Sequence, residues 1–187
     1  MWHSGDDKGA VTCFEDGKLK FTINVVEGVK SLFVEKSLCY TLLNLDLSIH
    51  EIRNNGKFCM KMSIPGKFPV TLFGEKTDGR SKYIAVLTRD GKGITIVNNK
   101  LNENFKTLTV KENLHEMIVN DLKGTGEFIF SCDYAGKVIK SQVCGNELKE
   151  LGSVSTDSGC ANCLAVINEN LVFVGSLDGT IKKVIFS

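Results

Sequence analysis

A single punctuation pattern restricts this chain more than any other feature: a short apolar run, a tight turn rich in Gly, Asp or Asn, then a second short apolar run. Tyr83-Ile84-Ala85-Val86-Leu87 is followed by Arg89-Asp90-Gly91-Lys92-Gly93 and by Ile94-Thr95-Ile96-Val97. Phe128-Ile129-Phe130-Ser131, Asp133-Tyr134-Ala135-Gly136-Lys137 and Val138-Ile139 repeat the pattern. So do Leu171-Val172-Phe173-Val174-Gly175, Leu177-Asp178-Gly179 and Thr180-Ile181. Runs this short are strand-sized, and Asp and Gly suit turns that need positive φ or a side chain bonding its own loop. Convincing amphipathic helix patterns are scarce, and the expectation is antiparallel hairpins.

The hairpins recur. The first apolar residues after successive turns are Val11, Ile49, Ile94, Val138 and Ile181, at spacings of 38, 45, 44 and 43 residues. Apolar runs precede the hairpins at Val29–Val34, Pro69–Phe73, Met117–Val119 and Cys163–Ile167. Polar turns and alternating stretches follow at Asp16-Gly17 to Ile23 and at Asn55-Gly56 to Met62. Four strands in a repeat of about 40 to 45 residues match a propeller blade. The repeats fall at 1–23 (partial), 24–64, 65–110, 111–154 and 155–187, the last without its fourth strand. The expected fold is all-β: four-stranded antiparallel blades of a β-propeller.

The residues from Phe173 to Val184 resemble the central hairpin of a WD40 repeat, and 3–11 and 130–138 resemble weaker copies. No Trp-Asp pair closes a repeat: Ser141 and Val184 stand where Trp is usual, and Trp2 lies elsewhere. His115 precedes its strand as the family's histidine does. Ala135 is read at the place of the family's aspartate, so a His–Ser–Asp–Trp network is not expected there. About four to five repeats are expected. They form part of a larger propeller, a propeller completed by a second chain, or a self-contained small one. Open blades would leave apolar faces and strand edges exposed.

The resemblance implies a non-enzymatic platform for protein–protein interaction, a scaffold or adaptor. Its contact face would be built from hairpin loops carrying Asp7, Lys8, Arg89, Lys92, Tyr134 and Leu177. The loops leading into the blades would add Lys67, Glu112 and His115. The expected partner is another protein. Two rivals stand beside this: a propeller enzyme or small-molecule binder with an axial site, and an RNA-binding propeller.

Composition narrows these classes. There are 23 Lys and Arg against 22 Asp and Glu, a net charge of +1, without the basic excess that phosphate binding normally takes. At 42% hydrophobic residues the chain can bury a core rather than remain disordered. No window approaches the roughly 18 apolar residues of a membrane helix. The polar, acidic start from Met1 to Asp7 does not read as a signal peptide. Seven cysteines, an odd number in mostly apolar runs, read as reduced thiols of the cytoplasm or nucleus.

Local chemistry is sparse. Cys160-Ala161-Asn162-Cys163 is half of a zinc or redox motif without its other half, and reads as packing. His3, His50 and His115 are scattered, and an axial enzyme site would require His50, His115 and Asp46 to converge. Gly91-Lys92-Gly93 and Gly124-Thr125-Gly126 lack the strand–loop–helix setting of a phosphate cradle and read as turns. Asp6-Asp7 reads as a hairpin turn rather than a cation site. Arg80, Lys82 and Tyr83, with Arg89 and Lys92, form a modest basic cluster, read mainly as a solvated edge. No catalytic residue, cofactor or metal is expected.

Overall fold

The apolar runs become strands and the Asp/Gly turns become their hairpins. The computed structural model describes residues 2–53 and 57–187. Met1 and the Asn55-Gly56 turn lie outside them. The architecture is all-β: five tandem antiparallel sheets of three or four strands, consistent with propeller-like blades. The chain divides into two compact units, 1–68 and 69–187.

The first unit holds two sheets. β1 (Trp2–Gly5), β2 (Ala10–Glu15) and β3 (Lys18–Asn24) pair in that order, as do β4 (Ser31–Glu35), β5 (Leu38–Leu42), β6 (Asp46–Ile52) and β7 (Phe58–Pro65). Val11 and Cys13 on β2 are fully buried, and Phe21, paired with Cys13, meets Phe58 of β7 edge-on at 5.6 Å. Gly5 packs so closely that a Cβ there would lie 2.7 Å from Val29. The inner face of the first sheet therefore lies against the second. Every residue of β5 is buried.

The second unit holds three sheets. β8 (Lys67–Phe73), whose first two residues fall in the first unit, pairs with β9 (Tyr83–Leu87). β9 pairs with β10 (Ile94–Asn98), which pairs with β11 (Thr107–Lys111) after a 3₁₀ turn at Leu101–Glu103. The fourth sheet runs β12 (Val119–Thr125), β13 (Phe128–Asp133), β14 (Lys137–Cys144), β15 (Glu147–Ser155). The fifth runs β16 (Ala161–Asn168), β17 (Leu171–Ser176), β18 (Ile181–Ile185). The chain's two prolines, Pro65 and Pro69, fall on β7 and β8, each at the edge of its sheet, where a missing N–H costs no ladder bond.

Face-to-face packing joins the sheets of this unit. Ala85, Leu87, Ile94 and Ile96 of the third sheet share a core with Val119, Leu122, Ile129, Ile139 and Val143 of the fourth. Phe130, Cys132 and Val138 on the other face of the fourth sheet meet Ala161, Leu164, Val172, Val174, Val184 and Phe186 of the fifth segment. Polar ties fix that second junction. The Leu164 amide donates to Asp121 Oδ2 at 2.8 Å, and Asn120 Nδ2 donates to the Ala161 carbonyl at 2.8 Å.

Candidate interaction rim

The β9–β10, β13–β14 and β17–β18 turns of the second unit share one local design. Asp90 accepts from the Lys92 amide and the Thr88 hydroxyl. Asp133 accepts from the amides of Ala135 and Lys137, and Asp178 from the amide and hydroxyl of Thr180. Hydrogen bonds from the Thr88 and Thr180 hydroxyls hold Asp90 and Asp178 below the ordinary carboxylate range. Asp6 does the same structural work in the first unit, accepting from the Lys8 and Ala10 amides.

These turns are linked through the backbone. His115 N–H donates to the Lys92 carbonyl, Val119 N–H to Gly91, and Tyr134 N–H to Ile118. Thr156 N–H donates to Gly136, and Leu177 N–H to Cys160. The β9–β10 turn, β11–β12 loop, β13–β14 turn, β15–β16 loop and β17–β18 turn thus form a continuous rim along one end of the unit. Exposed on it are Tyr134 (55%), Leu177 (67%), Met117 and Ile118, beside the charges of Arg89, Glu112 and Glu116. Lys92 is half-buried.

Met117 and Ile118 are absent from the sequence-derived face. The run Met117–Val119 reads as strand, but β12 starts only at Val119, which leaves the two preceding side chains on the loop, in the open. The signal was present in His115-Glu116-Met117-Ile118, where polar and apolar residues do not alternate.

His115 corrects two expectations. The residue is 2% exposed and its side chain 0%, so it is not a contact residue of the face. Nδ1 lies 2.8 Å from Asp133 Oδ2, and Nε2 lies 2.7 Å from Ser131 Oγ. A carboxylate only accepts, so Nδ1 carries the proton and Nε2 accepts from the serine hydroxyl. Burial holds His115 below the ordinary imidazole value, outweighing the pull of Asp133 in the other direction. A His–Ser–Asp chain therefore does form. Asp133, two residues before Ala135, supplies the carboxylate, because it ends β13 on the face that looks towards His115. At the expected tryptophan position Ser141 is buried with its hydroxyl unpartnered among the described residues.

In the first unit Asp7 and Lys8 are exposed on the β1–β2 turn, and Lys67 is half-buried. Lys67 follows Gly66, whose amide donates to the Leu45 carbonyl in the β5–β6 turn. Asp7 and Lys8 thus lie on a turn and Lys67 at the start of β8, all three in one unit, and Arg89, Lys92, Glu112, Tyr134 and Leu177 on the rim of the other.

The remaining sequence candidates are not gathered into a site. Asp46 and His50 lie four residues apart on β6, about 13 Å along a strand, beyond contact. Arg80 and Lys82 precede β9 whereas Arg89 and Lys92 follow it, so the basic cluster is divided over roughly 23 Å from Lys82 to Arg89. Lys82 is paired with Glu127 at 2.9 Å. Cys160 is buried and Cys163 exposed, and both are free thiols. No metal-like group of three His, Cys, Asp or Glu side chains occurs among the described residues. A groove of about 630 Å³ in the first unit is lined by Ile23, Val26, Leu43, Phe58, Met60 and His50. His50 is 9% exposed and its Nδ1 is buried without a hydrogen-bond partner among the described residues. Burial holds this histidine too below its ordinary value.

No protein-family model matches the chain. No curated protein matches it. Solved structures match in fold. The computationally designed Ika8 protein is similar with TM-score 0.76 and 15% identity, over 98% of this chain and 55% of that one. Hsv2 of Kluyvelomyces marxianus is similar with TM-score 0.73 and 13% identity, over 96% and 55%. The computationally designed Ika4 protein gives TM-score 0.67 and 14% identity, over 88% and 94%. The chain spans 55% of the length of the Ika8 and Hsv2 chains. At these identities the likeness is one of fold, and fold alone assigns no activity. No helix among the described residues is long and apolar enough to cross a membrane.

Proposed function

We propose that the five sheets are blades of a WD40-like propeller and that the chain is a non-enzymatic platform for protein–protein interaction. One observation carries this reading: the loops of the second unit are hydrogen-bonded into one rim that presents Met117, Ile118, Tyr134 and Leu177 to solvent. An apolar and aromatic centre flanked by charges, held on rigid turns, is the composition of an interface hot spot. The occupant is another protein. The seven free thiols support a reducing compartment, cytoplasm or nucleus.

The test is a pull-down at physiological salt with the wild-type chain and with Tyr134→Ala/Leu177→Ala, followed by quantitative mass spectrometry. A stoichiometric protein partner is expected, bound about 30-fold more weakly by the variant, a loss of about 2 kcal/mol. Retention of the partner by the variant, with its melting temperature unchanged, overturns the rim assignment. Absence of any partner overturns the platform reading.

A small-molecule site is the second reading, favoured by a buried His50 Nδ1 that has no hydrogen-bond partner among the described residues, on the first unit's groove. A thermal-shift screen of small molecules, repeated on His50→Ala, tests it: hits retained by the variant remove it.

A further inference from the structure

The third sheet carries a cavity at the end away from the rim. Its volume is about 540 Å³, within the range of ligand pockets, and its walls include Thr77, Arg80, Lys82, Asn99, Lys100 and Asn102. It lies between the β8–β9 loop and the 3₁₀ turn that follows β10, where Tyr83 and Asn98 pair. In the sequence Arg80 and Lys82 group with Arg89 and Lys92; the fold groups them instead with Lys100.

Both loops are fixed by their own bonds. Thr77 and Arg80 exchange backbone hydrogen bonds at 3.0 and 3.1 Å around Asp78 and Gly79. Those two residues have φ of +54° and +70°, the pattern of a type I′ turn. Asn99 N–H donates to the Lys82 carbonyl at 3.0 Å, and Asn99 Nδ2 donates to the Ser81 carbonyl at 2.8 Å. Ser81 and Asn99 are both buried, so these bonds stitch one loop to the other beneath the exposed cations.

The three cations on the wall are not equivalent. Lys82 Nζ is paired with Glu127 at 2.9 Å, and Lys100 Nζ with Glu103 at 2.9 Å. The Arg80 Nε is buried and has no hydrogen-bond partner among the described residues. A buried donor on a permanent cation is costly to leave unmatched, and a bound acceptor recovers that cost. Nε–H and one Nη–H of a guanidinium are parallel donors that match the two oxygens of a carboxylate. The lysines already hold carboxylates, which leaves one positive charge to neutralise. Asp78 on the same wall opposes a second negative charge, so a singly charged carboxylate suits the site better than a doubly charged phosphate.

We infer that this cavity binds the carboxylate of a small organic acid, with Arg80 as its anchor. Lys82 and Lys100 add attraction from the two sides, and the stitched loops hold the arginine in place. The inference does not rest on the rim: Tyr134 and Leu177 lie at the other end of the strands.

The experiment is an NMR titration of the folded chain with sodium lactate and with sodium benzoate, at an ionic strength held constant with sodium chloride. The chain has three arginines, Arg53, Arg80 and Arg89, so each Nε–H signal can be followed separately. The Arg80 signal is expected to move saturably with at least one of the acids, while those of Arg53 and Arg89 stay in place. Arg80→Lys keeps the charge and removes the fork. Followed through the backbone amides of Thr77 and Asn99, it is expected to weaken binding about tenfold or more. Asp78→Asn, which tolerates the same positive φ, is expected to tighten binding about threefold, and Lys100→Gln to weaken it by about as much. Should Arg80→Lys fail to fold, these two variants decide. An Arg80 signal that moves with neither acid overturns the inference. So does one that sodium phosphate moves at lower concentration, or that sodium chloride alone moves equally. Binding that neither Asp78→Asn nor Lys100→Gln alters overturns it as well, because the acid would then sit elsewhere.

Discussion

Histidine placement shows how much depends on a single residue's surroundings. His115 is buried and neutral between Ser131 and Asp133, and burial likewise lowers His50 and His3. The ordinary value is 6.5 in each case, and the folded values lie below it. The unfolded chain therefore binds more protons as pH falls below 6.5, so the stability these groups contribute is complete above that pH and is lost beneath it. Melting temperature measured from pH 8 to pH 5 is expected to drop on the acid side, and His115→Gln is expected to flatten the drop. At neutral pH that variant should cost about 1–3 kcal/mol, because Asp133 and Ser131 are left with a poorer partner. Thiols separate in the same way. Burial pushes Cys39 and Cys132 up to about 12, whereas Cys144 and Cys163 are exposed. Brief iodoacetamide labelling of the native protein, read by peptide mass spectrometry, should modify Cys144 and Cys163 and leave Cys39 and Cys132 untouched.

The turn is the element on which the rim depends. Gly136 has φ +83°, and a Cβ there would press on the Gly159 carbonyl oxygen and the Thr156 hydroxyl. Gly126, in the β12–β13 turn, has φ +55° with open space around it. Gly126→Ala should therefore cost only the left-handed backbone penalty, about 1–2 kcal/mol. Gly136→Ala adds a clash where two rim loops meet, and should cost more than Gly126→Ala by denaturant titration. Equal losses would show that the loop contact at Gly136 is slack. The Asp/Gly chemistry of these hairpins was legible in the sequence because it acts over a few residues. The start of β12 was not. Met117 and Ile118 have the apolar character of a strand, and it is the Ile118 carbonyl's bond to Tyr134 and the Val119 amide's bond to Gly91 that end the loop there.

Across the whole molecule, five sheets of repeated construction present two surfaces of different character. The rim is a mixed apolar and charged edge on turns, and the outer face of the fifth sheet exposes Phe173, Ile181 and Ile185 with Lys183 among them. A protein partner on the rim should have an association rate that falls with salt through Arg89 and Glu112, and a dissociation rate governed by Tyr134 and Leu177. Surface plasmon resonance at two ionic strengths separates these effects. For RNA, log affinity would fall steeply and linearly with log salt. Such a slope with homopolymer RNA would move the RNA-binding rival ahead of the platform.

The all-β class, the hairpins and their turns were determined by sequence, because alternation of side chains and positive-φ turn residues act locally. So was the recurrence of one pattern five times. Which face of each sheet is covered was decided only by tertiary structure. Phe130 and Phe173 are the same residue at the same register position, each opposite a lysine. One is fully buried and the other exposed, since burial depends on whether another sheet lies about 10 Å away. His115 teaches the same lesson at closer range. Spacing pointed to Ala135, but the carboxylate that meets the ring is the one that β13 delivers to it, Asp133.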